Sequence, residues 1–404
     1  MSHRHLRTPD VLVIGLGAMG SATVQHLARR GVKVVGLDQY APPHAYGSSH
    51  GETRITRQAV GEGEAFVPLV MRSQVLWREL EDETRQTLFT RCGCLIMGRE
   101  GQANWLHDQP DFLGNTIRVA RKFGIAHETL SATEIAARFP QFVLDGDEAG
   151  YYEDSAGSLN PEACVTANLM LATRHGAALR YGETVQSIQP QGSRHIVETD
   201  QGCYTPGTTI ACAGPWLPTL VPALAASLVV RRQVLYWFQL NRLHASDYTP
   251  DRFPVFIWPW GGDEAGGEAF YGFPQFDRPG DVASIKVATE QREFATTAAM
   301  VDRRVTPAEK AAMYSQHIQG HLRGVGDVCI KSAACLYTNA PRAHFLIDRL
   351  PDAPNVVVVS ACSGHGFKHS AAIGEAVAQM VITGHTPPVL APFAWPTMMA
   401  QTKS

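Results

Sequence analysis

The sequence predicts an α/β fold joined to antiparallel β structure, on three observations. A short apolar run, Val11-Leu12-Val13-Ile14, leads straight into Gly15-Leu16-Gly17-Ala18-Met19-Gly20. A second apolar run, residues 355–360 (NVVVVS), leads into a second glycine-bearing turn near the C-terminus. Between them, residues 224–341 are rich in aromatic and β-branched side chains with frequent Pro and Gly, a composition that suits largely antiparallel strands.

Val11–Ile14 is apolar throughout, as expected of a strand covered on both faces of a parallel sheet. Residues 18–30 read as a helix that opens on small residues (Ala18, Ser21, Ala22) and closes on Arg29-Arg30 and Gly31, cations and a stop at its C-terminal end. Residues 32–37 form the second strand, and Asp38 follows 23 residues after Gly15, close to the spacing at which an acidic side chain meets a ribose. In such a βαβ start Gly15, Gly17 and Gly20 permit a tight turn, close approach of the backbone to a pyrophosphate and close helix–sheet packing. The motif therefore predicts a Rossmann-like dinucleotide site, with NAD and FAD both open at this point. Residues 208–214 (TTIACAG) and 355–360 supply two more strands. The second runs through Ser363-Gly364-His365-Gly366-Phe367-Lys368 into an amphipathic helix over residues 370–383.

At 404 residues, 45% hydrophobic and 18% charged, the chain has the composition of a globular protein with one or two cores. Lys and Arg total 35 against 38 Asp and Glu, so no positive field points to nucleic acid or an anionic membrane, and small-molecule chemistry is expected. The leader MSHRHLRTPD lacks a secretory apolar core, and no apolar run approaches the roughly 20 residues of a membrane span, so a cytoplasmic location is expected. Eight dispersed cysteines predict reduced thiols rather than a disulfide framework. Cys92 and Cys94 form a C-x-C without a second pair and are expected on a strand; with His3, His5 and the other scattered histidines they give no metal-site pattern.

Where a simple NAD domain would begin another crossover, the chain reads PPHAYGSSHGETRITR over residues 42–57. This block, with Tyr271-Gly272-Phe273-Pro274, Cys335-Leu336-Tyr337-Thr338 and the 363–368 turn, resembles the monomeric sarcosine oxidase and N-methyltryptophan oxidase family, in family order from about residue 10 to residue 385. The resemblance implies a Rossmann-like FAD-binding domain assembled from residues 1–88, 153–223 and 342–398. Residues 89–152 and 224–341 would then build a second, mixed/antiparallel-sheet substrate domain, in a monomeric protein.

It further implies FAD attached by a thioether to Cys335, the thiolate being the required nucleophile; read alone, Cys335 is a small buried core residue. His50, Thr53, Gly364 and Gly366 join Gly15, Gly17, Gly20 and Asp38 as implied cofactor contacts. Arg57 and Lys368 match the family's binders of the substrate carboxylate, a guanidinium fork and an ammonium meeting one anion; as bare residues they would be solvated surface charges. Arg54 matches an arginine beside the flavin ring, with a structural ion pair as its alternative. Lys286 matches the lysine that promotes reaction with O2, since a cation favours the charge that develops on oxygen. Tyr271 and Tyr337 are implied pocket phenols, otherwise core or rim aromatics.

One position departs from the family: Glu290 stands four residues after Lys286, where the family has a histidine near the substrate. Glu290 would place an anion beside the amine, Ile257, Trp258 and Trp260 would make a bulky apolar wall, and residues 261–269 read as an exposed loop. The function implied is oxidation of a small secondary amino acid, N-methyl or cyclic, at its C–N bond, giving an imine that hydrolyses to amine and aldehyde, and H2O2 from O2. Two alternatives stay open here: a related flavin dehydrogenase with another electron acceptor, and an NAD-binding dehydrogenase or sensor resting on the N-terminal motif alone.

Overall fold

The computed structural model describes residues 6–99, 105–191, 194–263, 266–276 and 280–395. A six-stranded sheet runs in the order Ala178–Tyr181, Val34–Asp38, Val11–Ile14, Thr208–Ala211, Ala353–Ser360, Leu346–Leu350. The first five strands are parallel, and Leu346–Leu350 closes the edge antiparallel. Val11, Val13 and Val357 face a layer of helices, while Leu12, Ile14 and Leu37 face Val197 and Tyr204 of a separate four-stranded sheet. Cover on both faces is why Val11–Ile14 and residues 356–359 of the sheet are uninterrupted apolar runs.

The helix layer comprises Ala18–Arg29, Pro161–Arg174 and Ser370–Thr383. Gly374 lets two of them meet closely, since a Cβ there would lie 2.5 Å from the Cβ of Ala22. The last helix has the expected span but not the expected amphipathic character. From Ser370 to Met380 only Glu375 and Gln379 escape burial, because the helices Ala18–Arg29 and Val67–Thr84 pack on either side.

The second sheet has nine strands. Its path runs Ala295–Thr296, Val229–Leu240, Ser284–Thr289, Gly266–Phe273, Val255–Asp263, Cys94–Arg99, Glu148–Glu153, Glu128–Ser131, with Val325–Asn339 paired along Val229–Leu240. All pairs are antiparallel except Val255–Asp263 with Cys94–Arg99, so the sheet is mixed. Of the loop expected over residues 261–269, residues 261–263 and 266–269 are instead strand, in an antiparallel pair that reaches Asp263 on one side and Gly266 on the other. Its glycines fit the irregular register between Trp260 and Asp263 rather than a free loop. Glu264, Ala265 and the side chain of Trp260 lie outside the described residues. Cys94 begins a strand as expected, Cys92 lies two residues before it, and all eight cysteines are free. Among the described residues no helix is long and apolar enough to cross a membrane.

Strand alternation decides which large-sheet residues face the parallel sheet. Lys286 pairs with Trp237 on one side and Phe273 on the other, and Ala288 pairs with Tyr271, so Lys286, Trp237, Tyr271 and Phe273 share one face. Between the sheets runs the segment 47–63, which carries Arg54 and Arg57. Only Arg54–Thr56 is strand, paired with Gly157–Leu159. Glu162, in the first turn of Pro161–Arg174, accepts from the backbone N–H of Gly51 at 2.6 Å and of Glu52 at 3.1 Å. Glu153, fully buried, accepts from Gln58 N at 2.7 Å and Ala59 N at 3.1 Å. Two carboxylates thus fix an irregular backbone that sheet hydrogen bonds cannot hold.

The three N-terminal glycines separate by role. Gly15 has φ +85°, and a Cβ there would lie 2.5 Å from the carbonyl oxygen of Cys212; a Cβ on Gly20 would lie 1.7 Å from that of Gly15. On Gly17 it would meet only the Ser49 hydroxyl, at 3.2 Å, and otherwise face a cavity. Gly20→Ala is expected to lose about 1–3 kcal/mol through overpacking against backbone, and Gly17→Ala to be near neutral for folding while weakening cofactor retention. Urea unfolding of the two variants checks this; equal midpoints would refute the division.

Candidate active site

One cavity follows the C-terminal ends of the parallel strands, at Ile14, Asp38, Cys212 and Val359–Cys362, and continues beneath the large sheet to Tyr271, Lys286 and Glu290. Crevices at the strand ends of an open parallel sheet are where such folds take nucleotides. Of the site residues expected from sequence, Gly15, Gly17, Asp38, Thr53, Arg54, Arg57, Tyr271, Lys286, Glu290, Cys335, Tyr337, Gly364, Gly366 and Lys368 line it. Gly20 and His50 do not. Gly20 packs helix on strand, and His50 is buried behind the lining, its Nε2 without a hydrogen-bond partner among the described residues.

At the glycine end, the Asp38 carboxylate accepts from Leu16 N at 2.8 Å and Tyr40 N at 2.9 Å, and lies 3.4 Å from His44 Nε2. Asp38 is therefore first a brace for the turn; a carboxylate offers about four acceptor positions, which leaves room for a ribose hydroxyl. The helix Ala18–Arg29 presents its N-terminus here, with Ala18 N held by Ser49 Oγ at 3.0 Å. These features fit the pyrophosphate and ribose of a dinucleotide.

In the middle, Arg54 Nη2 donates to Ser48 O at 2.6 Å and lies 3.8 Å from Cys335 Sγ, while its Nη1 donates to Thr53 O at 2.8 Å. Cys335 is 1% exposed yet lines the cavity, so its thiol is reachable from within but shielded from solvent. Lys286 Nζ donates to Gly51 O at 2.6 Å, Thr53 O at 3.0 Å and Thr53 Oγ1 at 2.9 Å, and sits 4.7 Å above the Phe273 ring. Burial, reinforced by the charge of Arg54, holds the Lys286 ammonium well below the ordinary lysine range.

At the far end, Arg57 and Lys368 converge, as expected, but around a carboxylate that sequence reading missed. Arg57 Nη2 donates to both oxygens of Glu62, at 3.1 and 2.9 Å, and Lys368 Nζ lies 3.5 Å from Glu62 Oε1. Arg57 and Glu62 are each 1% exposed, so this is a buried ion-pair cluster. Burial opposes ionisation of Glu62, but Arg57 and then Lys368 outweigh it and hold the carboxyl well below the usual carboxylate range. Lys368 is pushed down to about 8 by burial, against the pull of Glu62 and with the push of Arg57. Arg57 Nε is buried without a partner among the described residues. Two cations and one anion leave a net positive charge and an open donor, a fit for one further carboxylate.

Beside this cluster stands His107, with Nδ1 3.1 Å from Glu62 Oε1, and the Tyr271 and Tyr337 phenols, 3.4 Å apart, line the same cavity. Burial pushes the Tyr271 phenol up to about 12. Ile257 lines the cavity, whereas Trp258 packs into the other core of the large sheet, so the expected bulky wall is only partly formed. Glu62 had a local signal: a lone carboxylate between Gly61 and Gly63, five residues after Arg57. His107 had none.

The FAD dependent oxidoreductase family model matches residues 10–380. Monomeric sarcosine oxidase of Streptomyces avermitilis is 40% identical over 383 residues, covering 94% of this chain and 95% of that one. N-methyl-L-tryptophan oxidase of Salmonella newport is 34% identical over 384 residues, 94% of this chain and 95% of that one. Among solved structures, NikD, an unusual amino acid oxidase essential for nikkomycin biosynthesis, superposes with a TM-score of 0.80 at 23% identity over 96% of this chain and 97% of that one, a likeness of fold. The NAD-binding reading is thereby set aside: from its N-terminal glycine turn to Lys368, the chain belongs to the FAD-dependent amine oxidoreductase family of monomeric sarcosine oxidase and N-methyl-L-tryptophan oxidase.

Proposed function

We propose that this FAD-dependent oxidase acts on a carboxylate-bearing secondary amine, an N-methyl or cyclic amino acid, with the flavin joined to Cys335. The observation that carries the substrate reading is the net positive Arg57–Glu62–Lys368 cluster with the unpaired Arg57 Nε, which lines the same cavity as Cys335 and Lys286. Bound in that cavity, FAD supplies the two-electron acceptor for oxidation of a C–N bond and hands the electrons to O2. Arg57 and Lys368 hold the carboxylate and so fix which C–H bond faces the ring. The phenols of Tyr271 and Tyr337 border the amine, and Arg54 and Lys286 keep positive charge where the ring and O2 acquire electrons. A screen of H2O2 release across sarcosine, other N-methyl amino acids, pipecolate, proline and primary amino acids tests the reading. Activity confined to amines without a carboxylate would overturn it.

Attachment at Cys335 joins sulfur to the ring's methyl carbon; the two hydrogens removed are taken up by O2 as H2O2. Acid-precipitated wild-type protein is expected to stay yellow and that of Cys335→Ser to release its flavin. Mass spectrometry that places the flavin on another residue would refute this site.

Carboxylate binding needs the Lys368 ammonium, which burial lowers to about 8. Below that pH the site is fully charged; as pH rises through it the cation is lost. The dissociation constant of a non-reactive carboxylate is therefore expected to be flat up to about pH 8 and then to rise about tenfold per unit, and Lys368→Met to flatten the profile at weaker affinity. A wild-type profile level to pH 10 would exclude this role.

Lys286→Met is expected to leave anaerobic flavin reduction within a few-fold while slowing reoxidation by O2 more than a hundredfold, a loss of about 3 kcal/mol. Because burial and Arg54 depress the Lys286 ammonium, wild-type reoxidation should also slow with rising pH well before an ordinary lysine would titrate. Stopped-flow measurement separates the half-reactions, and near-wild-type reoxidation in a fully flavin-loaded variant would assign oxygen activation elsewhere.

A further inference from the structure

Glu290 lines the cavity with its side chain 4% exposed. Its Oε2 lies 3.3 Å from Arg292 Nη2 and 3.6 Å from His107 Nε2, and Arg292 is shared with Asp108 at 2.8 Å. Its Oε1 makes no hydrogen bond among the described residues and lies toward Gly364, where an added Cβ would be 3.3 Å away. Two carboxylates against one guanidinium leave this end net negative when His107 is neutral, opposite to the net positive Arg57–Glu62–Lys368 cluster.

The His107 ring stands between the two ends, Nδ1 on Glu62 and Nε2 toward Glu290. An α-nitrogen is only two bonds from its own carboxylate carbon, too short a reach to span an imidazole and the contacts on both sides of it. With its carboxylate on Arg57 and Lys368, a substrate would meet Glu290 through a group farther along its side chain.

We propose that Glu290, braced by Arg292 and His107, binds a second cation on the substrate, so that the substrate class is an N-alkylated α-amino acid with a basic side chain. This rests on the amino-acid oxidase reading above and narrows it. A neutral side chain of the same length would bury Glu290 Oε1 without a partner, and sites built around such a polar contact reject the isostere that lacks it by large factors. Glu290 is a specificity residue here; nothing in its position requires it to touch the reacting C–H bond.

The test compares Nα-methylornithine with Nα-methylnorvaline as substrates of the flavin-loaded enzyme, in wild type and Glu290→Gln. Calorimetric binding of 5-aminopentanoate against pentanoate, neither of which can be oxidised at an α-amine, provides a readout besides activity. The wild type is expected to favour the basic substrate at least about 100-fold in kcat/KM and to bind 5-aminopentanoate more tightly than pentanoate, and Glu290→Gln to collapse the substrate ratio toward unity. Similar kcat/KM for the two substrates, a ratio that survives Glu290→Gln, or no binding preference in the wild type overturns the proposal and leaves the amine-oxidase reading standing. Failure of every N-methyl amino acid to reduce the flavin overturns that reading, and the proposal with it. The calorimetric arm uses wild-type protein alone, so a misfolded variant does not remove the test.

Discussion

Two buried cations, Arg57 and Lys368, share one buried carboxylate, Glu62, and the far end of the cavity is organised around that imbalance. Removing one partner of a buried pair strands an uncompensated charge, at a cost of about 3–5 kcal/mol. Glu62 therefore has two effects at once. It holds Arg57 and Lys368 inside the protein, and one carboxylate against two cations leaves the cluster itself net positive. Burial, with the push of Arg57 against the pull of Glu62, lowers Lys368 to about 8, below the ordinary lysine range.

The backbone that carries Arg54, Arg57 and Glu62 depends on the same physics. Outside the short strand Arg54–Thr56 it cannot satisfy its N–H groups through a sheet, and Glu162 and Glu153 accept from it at Gly51, Glu52, Gln58 and Ala59. Because Glu162 belongs to a helix of the parallel-sheet layer and Glu153 to a strand of the large sheet, the segment is pinned from both bodies. Lys286 adds a third anchor, crossing from the large sheet to the carbonyls of Gly51 and Thr53. Its three acceptors suit an ammonium and oppose the burial and the Arg54 charge that hold it well below the ordinary lysine range.

Along the cavity, polarity changes in steps. The glycine turn offers backbone N–H groups and a helix N-terminus, Arg54 supplies fixed positive charge beside the Cys335 thiol with the titratable Lys286 amine nearby, and the far end opposes a positive cluster to the Glu290 carboxylate. Enclosed by protein, each charge acts in a medium of lower dielectric than water and is worth more than it would be at the surface.

Some of this was legible in the sequence because it is local. Gly15 needs positive φ, Gly20 must pass within contact of the Gly15 carbonyl, and Asp38 braces the turn; each constraint acts through near neighbours or a fixed spacing, and the strands Val11–Ile14 and Val34–Asp38 with the helix between them formed where expected. The blocks around Arg57, Cys335 and Lys368 marked residues that the fold does bring to one cavity. What sequence left open was decided by partners distant in the chain. The helix Ser370–Thr383 is buried rather than amphipathic because other helices cover it, and residues 261–263 and 266–269 are strand because they pair across the sheet. Glu62 becomes the hub of a charged cluster only where Lys368 and His107 reach it, and Glu290 lines the cavity between His107 and Arg292, residues far from it or from each other in the chain. Steric limits on a turn are written in adjacent residues, whereas the balance of buried charge depends on which distant side chains the fold encloses together, and only the tertiary structure sets that.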